Sequence, residues 1–155
     1  MSMFTASRAV LALMVVLSTA VASADPGLTF GLSLNPVGPV ANASVAVPVL
    51  VTGEAQHAAR ADVSYAFHGL PALSATYLLR DADPEGVRTY VGAGAGVAFL
   101  DGASFQPMVT LHGLVGGSVP VVGGVGAFGE VVVGGNALAT SIRLAFGVSY
   151  SLGGY

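Results

Sequence analysis

Several residue types are scarce or missing in this chain. Among its 155 residues there is no Cys, no Trp and no Lys, and only 8% of the residues are charged. Without Cys, neither a disulfide bond nor a lipid-modified Cys can stabilise or anchor the fold. Soluble domains carry roughly a quarter charged residues, so this chain has too few charges to cover a water-exposed surface.

The few charges that are present are weakly acidic in balance. All five basic residues are Arg, and four of them, beginning with Arg60, follow residue 24, against eight carboxylates. Nucleic acids are bound mainly through clustered Lys and Arg side chains on phosphates. The composition therefore excludes a nucleic-acid partner. It favours a lipid environment, because a surface in contact with lipid needs no charged residues.

The amino terminus has the pattern of an export signal. Arg8 supplies a positive charge, residues 9–17 form an apolar core, and Ala22-Ser23-Ala24 has the small-x-small pattern of a cleavage site. The alternative, a membrane anchor, is disfavoured because the apolar stretch is shorter than the ~20 residues of a spanning helix. We predict a signal peptide over 1–24 and a mature domain over 25–155 that begins at Asp25.

Beyond residue 25 the sequence alternates with a period of two and shows no helical periodicity. Turn-like clusters recur every ten to fifteen residues, which is typical of hairpins. The eight predicted strands cover 28–35, 40–52, 58–67, 72–80, 87–99, 104–115, 125–133 and 138–152. The second keeps Val45, Val47, Val49 and Val51 on its bulky face, with Pro48 as a local irregularity. The pattern predicts an all-β protein, an eight-stranded antiparallel up-and-down barrel.

The two faces of the predicted strands differ in a way that favours a membrane. In 138–152, bulky residues such as Leu144 and Phe146 alternate with small or polar ones such as Ser141 and Gly147. A bulky outer face over a small, polar inner face is typical of a transmembrane β-barrel. A soluble periplasmic barrel that binds a ligand is the alternative, but its outer surface would consist largely of Gly, Ala and Ser and would tend to associate.

Outward aromatic residues support the same interpretation, because they group at the two predicted rims. The predicted upper girdle contains Tyr65, Phe67, Phe99 and Phe105, and the predicted lower girdle contains Phe30, Tyr77 and Tyr150. Aromatic side chains favour the two membrane interfaces. This assignment assumes that the chain enters the barrel from the periplasmic side.

Charged and titratable residues of the strands fall on the opposite, lumenal face. The residues expected there are Arg60, Asp62, Arg80, Arg88, His112, Glu130 and Arg143. Eight strands leave no aqueous channel, so these side chains are expected to form a paired polar plug rather than a proton or ion path. Glu130 and Arg143 lie on adjacent strands and are expected to pair with each other.

No pattern in the sequence predicts a catalytic, cofactor or metal site. None of the three histidines, His57, His68 and His112, lies beside a Ser with an acidic orienting group. Gly124–Gly129 matches G-x-G-x-x-G but continues into a strand, whereas a dinucleotide site requires a helix at that point. The acidic residues of 81–85 are too few for a calcium loop.

The predicted connections also bear on function. Those on the outer side, 35–39, 68–71, 101–103 and 134–137, are little more than turns, whereas the periplasmic ones, 52–57, 81–86 and 116–124, are as long or longer. Adhesion and ligand capture need long external loops. A loop-based adhesin or receptor is therefore disfavoured.

From residue 25 to residue 155 the chain resembles the small eight-stranded outer-membrane barrels, the superfamily that includes the transmembrane domain of outer membrane protein A. The most specific part is the spacing of Gly147, Tyr150 and Leu152, which resembles the signal read by the family's assembly machinery. The resemblance implies outer-membrane lipid, lipopolysaccharide and that machinery as partners. We expect a non-catalytic structural or interaction protein without a cofactor, with a small lipid-modifying enzyme as the alternative.

Overall fold

Strands make up nearly all of the described chain. The computed structural model describes residues 27–36, 38–66, 71–81, 86–100 and 106–152. Its strands are β1 (Gly27–Asn35), β2 (Gly38–Thr52), β3 (Ala55–Ala66), β4 (Pro71–Asp81), β5 (Arg88–Leu100), β6 (Gln106–Val122), β7 (Val125–Gly135) and β8 (Thr140–Ser151). The predicted leader over 1–24 and its cleavage site lie outside the described residues. Among the described residues, no helix is long and apolar enough to cross a membrane.

The eight strands close into one antiparallel barrel. Each strand pairs with the next along the chain, and β8 pairs back with β1, from Gly27 opposite Ser151 to Leu34 opposite Leu144. Because the ring is closed, every described strand has a neighbour on both sides and none is an edge strand. The predicted eight-stranded, antiparallel, up-and-down barrel is confirmed.

The strand boundaries agree with the prediction to within three residues, with one exception. The predicted connection over 116–124 is wrong, because β6 continues to Val122 and only Gly123 and Gly124 form the turn. Both glycines have positive φ, 54° and 82°, as a type I′ hairpin turn requires. The predicted connection over 52–57 is likewise shorter, since Gly53 and Glu54 alone join β2 to β3.

Two register shifts occur near these turns, both next to a proline. One lies between Pro48 and Leu50 in β2, and the other lies between Pro120 and Val122 in β6. Proline cannot donate to the ladder and is found at such bulges. After the first shift Leu50 pairs with His57, so Leu50 lies on the outer face with His57. The prediction that Val51 lies on the bulky, outer face is therefore wrong.

The barrel has a filled lumenal face and an exposed outer face. The buried residues among those described are all lumenal: Ser33, Val40, Ser44, Ala46, Ala58, Arg60, Thr76, Leu78, Tyr90, Leu114, Gly126, Glu130, Val132 and Ala145. The outer face exposes large apolar side chains, among them Leu32, Leu144 and Phe146. Below, the lower end of the barrel is the end with the Gly53–Glu54 and Gly123–Gly124 turns, and the upper end is the opposite one.

Candidate functional site

Arg60 lies at the centre of the lumen and bridges two carboxylates. Its Nη1 lies 2.5 Å from Glu130 Oε1, its Nη2 lies 3.3 Å from Glu130 Oε2, and its Nε lies 2.9 Å from Asp62 Oδ1. The contact with Asp62 is an ion pair rather than a hydrogen bond, because Arg60 Nε has no hydrogen-bond partner. The two-pronged contact with Glu130 is the strongest geometry available to an Arg and a carboxylate.

This ion pair crosses the barrel. Arg60 is on β3 and Glu130 is on β7, four strands apart in a ring of eight, and the side chains of both are only 6% exposed. Such a contact between opposite walls forms only once the sheet has closed. We call Arg60, Asp62 and Glu130 the central cluster, and it fills the lumen with paired charge at mid-height.

Tyr90 of β5 extends the central cluster. Its hydroxyl donates a hydrogen bond of 2.9 Å to Glu130 Oε1. Room for both side chains comes from Gly116 of β6, where a Cβ would lie 2.7 Å from the Tyr90 ring and 2.8 Å from Glu130 Cγ. Tyr90 was not among the predicted site residues, although its lumenal parity was visible in the sequence.

A second polar branch runs from Asp62 to His112. Thr76 Oγ1 donates to Asp62 Oδ2 over 3.3 Å and lies 2.8 Å from His112 Nε2. Because one hydroxyl has one proton, this arrangement makes His112 Nε2 the donor to Thr76. Gly94 lies between Thr76 and His112 in the strand register, and a Cβ there would lie 2.8 Å from His112 Nε2, so the glycine leaves space for the bond.

The Asp62, Thr76 and His112 chain does not have the order of a catalytic triad. The hydroxyl lies between the carboxylate and the imidazole, whereas a nucleophile must be at the end of the relay. Thr76 is also only 3% exposed inside the lumen. This arrangement can hold the wall together, but it offers no substrate access to the hydroxyl.

The lumen is not polar throughout. Leu78, Leu114 and Val132 are buried with Tyr90 and the small residues Ala46 and Ala58 in one apolar cluster. Leu114 pairs directly with Val132 in the β6–β7 ladder. The predicted polar plug therefore occupies only part of the interior, because apolar side chains share it with the central cluster.

Between described residues, no ion pair is formed by the other predicted lumenal arginines. Arg80, Arg88 and Arg143 point into the lumen by register, and within the described part of the chain only Arg60 forms ion pairs. The Nε atoms of Arg80 and Arg143 have no hydrogen-bond partner. The expected pairing of Glu130 with Arg143 is wrong, since the Glu130 carboxylate is taken by Arg60 and Tyr90.

The predicted girdle residues that the structure describes lie on the outer face. Phe30, Tyr65, Tyr77 and Tyr150 are all exposed there, and Phe99 has the same outward parity. Phe67 and Phe105 lie outside the described residues. Phe146 is a further outward aromatic, which the predicted girdles did not include.

A polar group also lies on the outer face near the lower end. Thr52 Oγ1 lies 2.7 Å from His57 Nε2, and His57 Nδ1 is hydrogen-bonded to the Tyr77 hydroxyl. The bulge after Pro48 brings Thr52 onto the face of His57, which the sequence pattern did not reveal. The described residues contain no group of three or more His, Cys, Asp or Glu side chains that could hold a metal ion.

Comparisons with known proteins agree with this architecture. The N-terminal β-barrel domain of Pseudomonas aeruginosa OprF has a TM-score of 0.65 at 15% identity, over 83% of this chain and 97% of that chain. Neisserial surface protein A (NspA) has a TM-score of 0.51 at 15% identity, over 83% and 95%. The chain has the fold of the small eight-stranded outer-membrane barrels.

A third structure with this fold is the outer membrane enzyme PagL, with a TM-score of 0.50 at 12% identity over 82% of this chain and 99% of that chain. No family model matches the sequence, and no curated protein matches it significantly. At these identities the similarity concerns the fold, so the role of this barrel must be argued from its own surfaces.

Proposed function

We propose that this chain is an outer-membrane protein of a bacterium, exported by a cleaved signal peptide, whose barrel has a structural or interaction role without catalysis. One observation carries the proposal. The described residues contain eight charged side chains, of which six point into the lumen, while Glu54 and Asp81 lie at the lower end. The outer face between the two ends is therefore free of charge among the described residues.

An apolar outer face suits lipid and does not suit water. Leu32, Leu144 and Phe146 are 45%, 52% and 50% exposed on this face. A charged side chain there would cost about 2 to 4 kcal/mol at the bilayer midplane, which explains why the charges are lumenal. The soluble ligand-binding barrel is disfavoured for the same reason, because it would expose this apolar face to water.

The structural or interaction role is supported by the filled lumen and by a tight connection at the upper end. The central cluster and the apolar cluster occupy the interior, and Asn136 Oδ1 accepts from the amides of Leu138 and Ala139 in a tight upper connection. Neither a wide pore nor a long loop is available in the described residues to take up a solute. Lipid, lipopolysaccharide and the barrel-assembly machinery remain the proposed partners.

The test combines three measurements on the full chain. The folded protein should migrate differently from the boiled protein on a denaturing gel and should fractionate with the outer membrane. In planar bilayers it should not conduct as an open porin. Recovery in the soluble periplasmic fraction, without a heat-dependent shift, would overturn the proposed location, and stable large conductance would overturn the filled lumen.

A small lipid-modifying enzyme is the second candidate, because one observation favours it. The Thr52 hydroxyl contacts the imidazole of His57 at 2.7 Å on the outer face, and Tyr77 holds the other ring nitrogen. A hydroxyl, a base and an orienting group are the parts of an activated nucleophile, although the orienting group here is a phenol instead of a carboxylate. The test is to incubate wild type and His57→Ala with labelled phospholipid and lipopolysaccharide and to measure lipid modification. It distinguishes the enzyme from the non-catalytic barrel. Turnover that is lost in the variant would establish the enzyme.

A further inference from the structure

We call the surface concavity at the lower end of β4 and β5, where the described pairing of these strands ends, the seam. Their ladder ends at Arg80 opposite Tyr90, although Asp81 still pairs with Ala55 of β3 and Thr89 still pairs with Gly117 of β6. The seam is open to solvent and has a volume of about 610 Å³.

The lining of the seam combines the two faces of the barrel. Leu79, Val91 and Val115, which are consecutive partners in the register, contribute a row of exposed apolar side chains from the outer face. Arg80 and Tyr90, which belong to the lumenal face, also line it. Arg80 is half-buried, and its buried Nε has no hydrogen-bond partner, so this cation at the concavity lacks a partner on that nitrogen.

Two carboxylates complete the seam beyond Arg80. Glu54 in the β2–β3 turn and Asp81 at the end of β4 both line the same concavity. From the middle of the barrel toward its lower end, the surface thus passes from apolar side chains to a cation and then to anions. Along β4 this change takes place within two positions, from Leu79 to Asp81, as expected where a membrane surface meets the barrel.

We propose that this seam binds one phospholipid with a zwitterionic phosphoethanolamine headgroup. Its acyl chains lie on Leu79, Val91 and Val115, its phosphate contacts Arg80, and its ammonium group faces Glu54 and Asp81. Arg is well suited to phosphate because its planar fork donates two parallel hydrogen bonds. The inference rests on the proposed membrane location and adds a specific ligand to it.

The experiment is lipid retention by the folded full-length protein, measured by native mass spectrometry in detergent. The probes are phosphatidylethanolamine, the anionic phosphatidylglycerol and diacylglycerol, which lacks a phosphate. Wild type should retain one phosphatidylethanolamine and bind it about tenfold more tightly than diacylglycerol, the ratio that corresponds to one charge-assisted contact. Arg80→Gln should lose this preference, while the matched control Arg143→Gln should keep it.

The carboxylates are tested by Glu54→Gln, which changes an exposed turn residue. This variant should bind phosphatidylglycerol more tightly relative to phosphatidylethanolamine, because a repulsive charge is removed. If Arg80→Gln does not fold, a photoactivatable phosphatidylethanolamine on wild type replaces it, and the crosslinks should fall near Thr89 and Ala55. Equal retention by Arg80→Gln and Arg143→Gln, or crosslinks spread evenly around the barrel, would overturn the site. Since retention is measured on purified protein, such a failure leaves the membrane location, tested by fractionation, unaffected.

Discussion

Removing one member of the cross-lumen pair is the sharpest test of how this barrel is held together. Arg60 contacts Glu130 through two nitrogens and Asp62 through a third. Arg60→Met keeps much of the side-chain volume but leaves both carboxylates without a cation. Glu130→Met removes only one carboxylate, so Arg60 retains Asp62, and Tyr90 loses the acceptor of its hydroxyl.

The magnitudes follow from burial. The side chains of Arg60 and Glu130 are 6% exposed, so neither loss is relieved by water. Breaking a buried ion pair by removing one partner costs about 3 to 5 kcal/mol of unfolding free energy. Arg60→Met should therefore cost more than Glu130→Met, because it leaves two buried charges unpaired. The double variant should cost about 2 kcal/mol less than the sum of the two single changes, since coupled contacts are not additive.

The assay is urea unfolding in detergent or lipid, followed by far-ultraviolet circular dichroism because the chain has no Trp to report by fluorescence. Arg143→Met is the matched control, since Arg143 is lumenal but forms no ion pair among the described residues. It should change the unfolding free energy by less than about 1 kcal/mol. Additive single changes, or a control as damaging as Arg60→Met, would refute the cross-lumen coupling.

Three further predictions address the outer face, the lumenal glycines and the leader. Leu144→Arg should destabilise the membrane-inserted barrel by about 2 to 4 kcal/mol, whereas Ser141→Arg should not, because only Leu144 faces outward. Equal yields of the two variants in the membrane fraction would show that the lipid-facing and lumenal faces are assigned wrongly. Gly147→Ala should cost about 1 to 3 kcal/mol in urea unfolding, since a Cβ there would meet backbone and a Phe ring, whereas Gly129→Ala, with open space around its Cβ position, should be neutral. The purified protein should begin at Asp25, and an intact mass that still includes 1–24 would contradict signal cleavage.

The sequence allowed the fold to be predicted because the information needed was local. Alternation with a period of two fixed both the strands and the side of the wall on which Arg60, Glu130 and Leu144 lie. The exception is the lower part of β6, which the sequence pattern did not predict as strand. Gly116 and Gly117 were read as part of a turn, but Gly116 lies inside β6 and makes room for Tyr90 and Glu130. A glycine that faces a large side chain in three dimensions has no signature along the chain.

The contacts of the candidate site were not predictable to the same extent. Sequence adjacency favoured Glu130 with Arg143 on the neighbouring strand, whereas the partner found is Arg60, 70 residues away and on the opposite wall. Which lumenal side chains meet depends on how the strands are staggered when the barrel closes. Likewise, the contact between Thr52 and His57 on the outer face depends on a bulge that shifts the register by one position.

The distribution of charge explains why the lumen determines the stability of such a barrel. In the membrane location that we propose, the apolar outer face gains little on folding, because lipid is as apolar as the protein surface it contacts. Stability must then come from the closed backbone ladder and from the packing of the lumen. A central Arg60 that joins β3 to Glu130 of β7 can form its contacts only in the closed state. The ion pair therefore favours the closed ring over any open sheet of the same strands. An apolar core would do so less specifically, because hydrophobic contacts have no preferred direction.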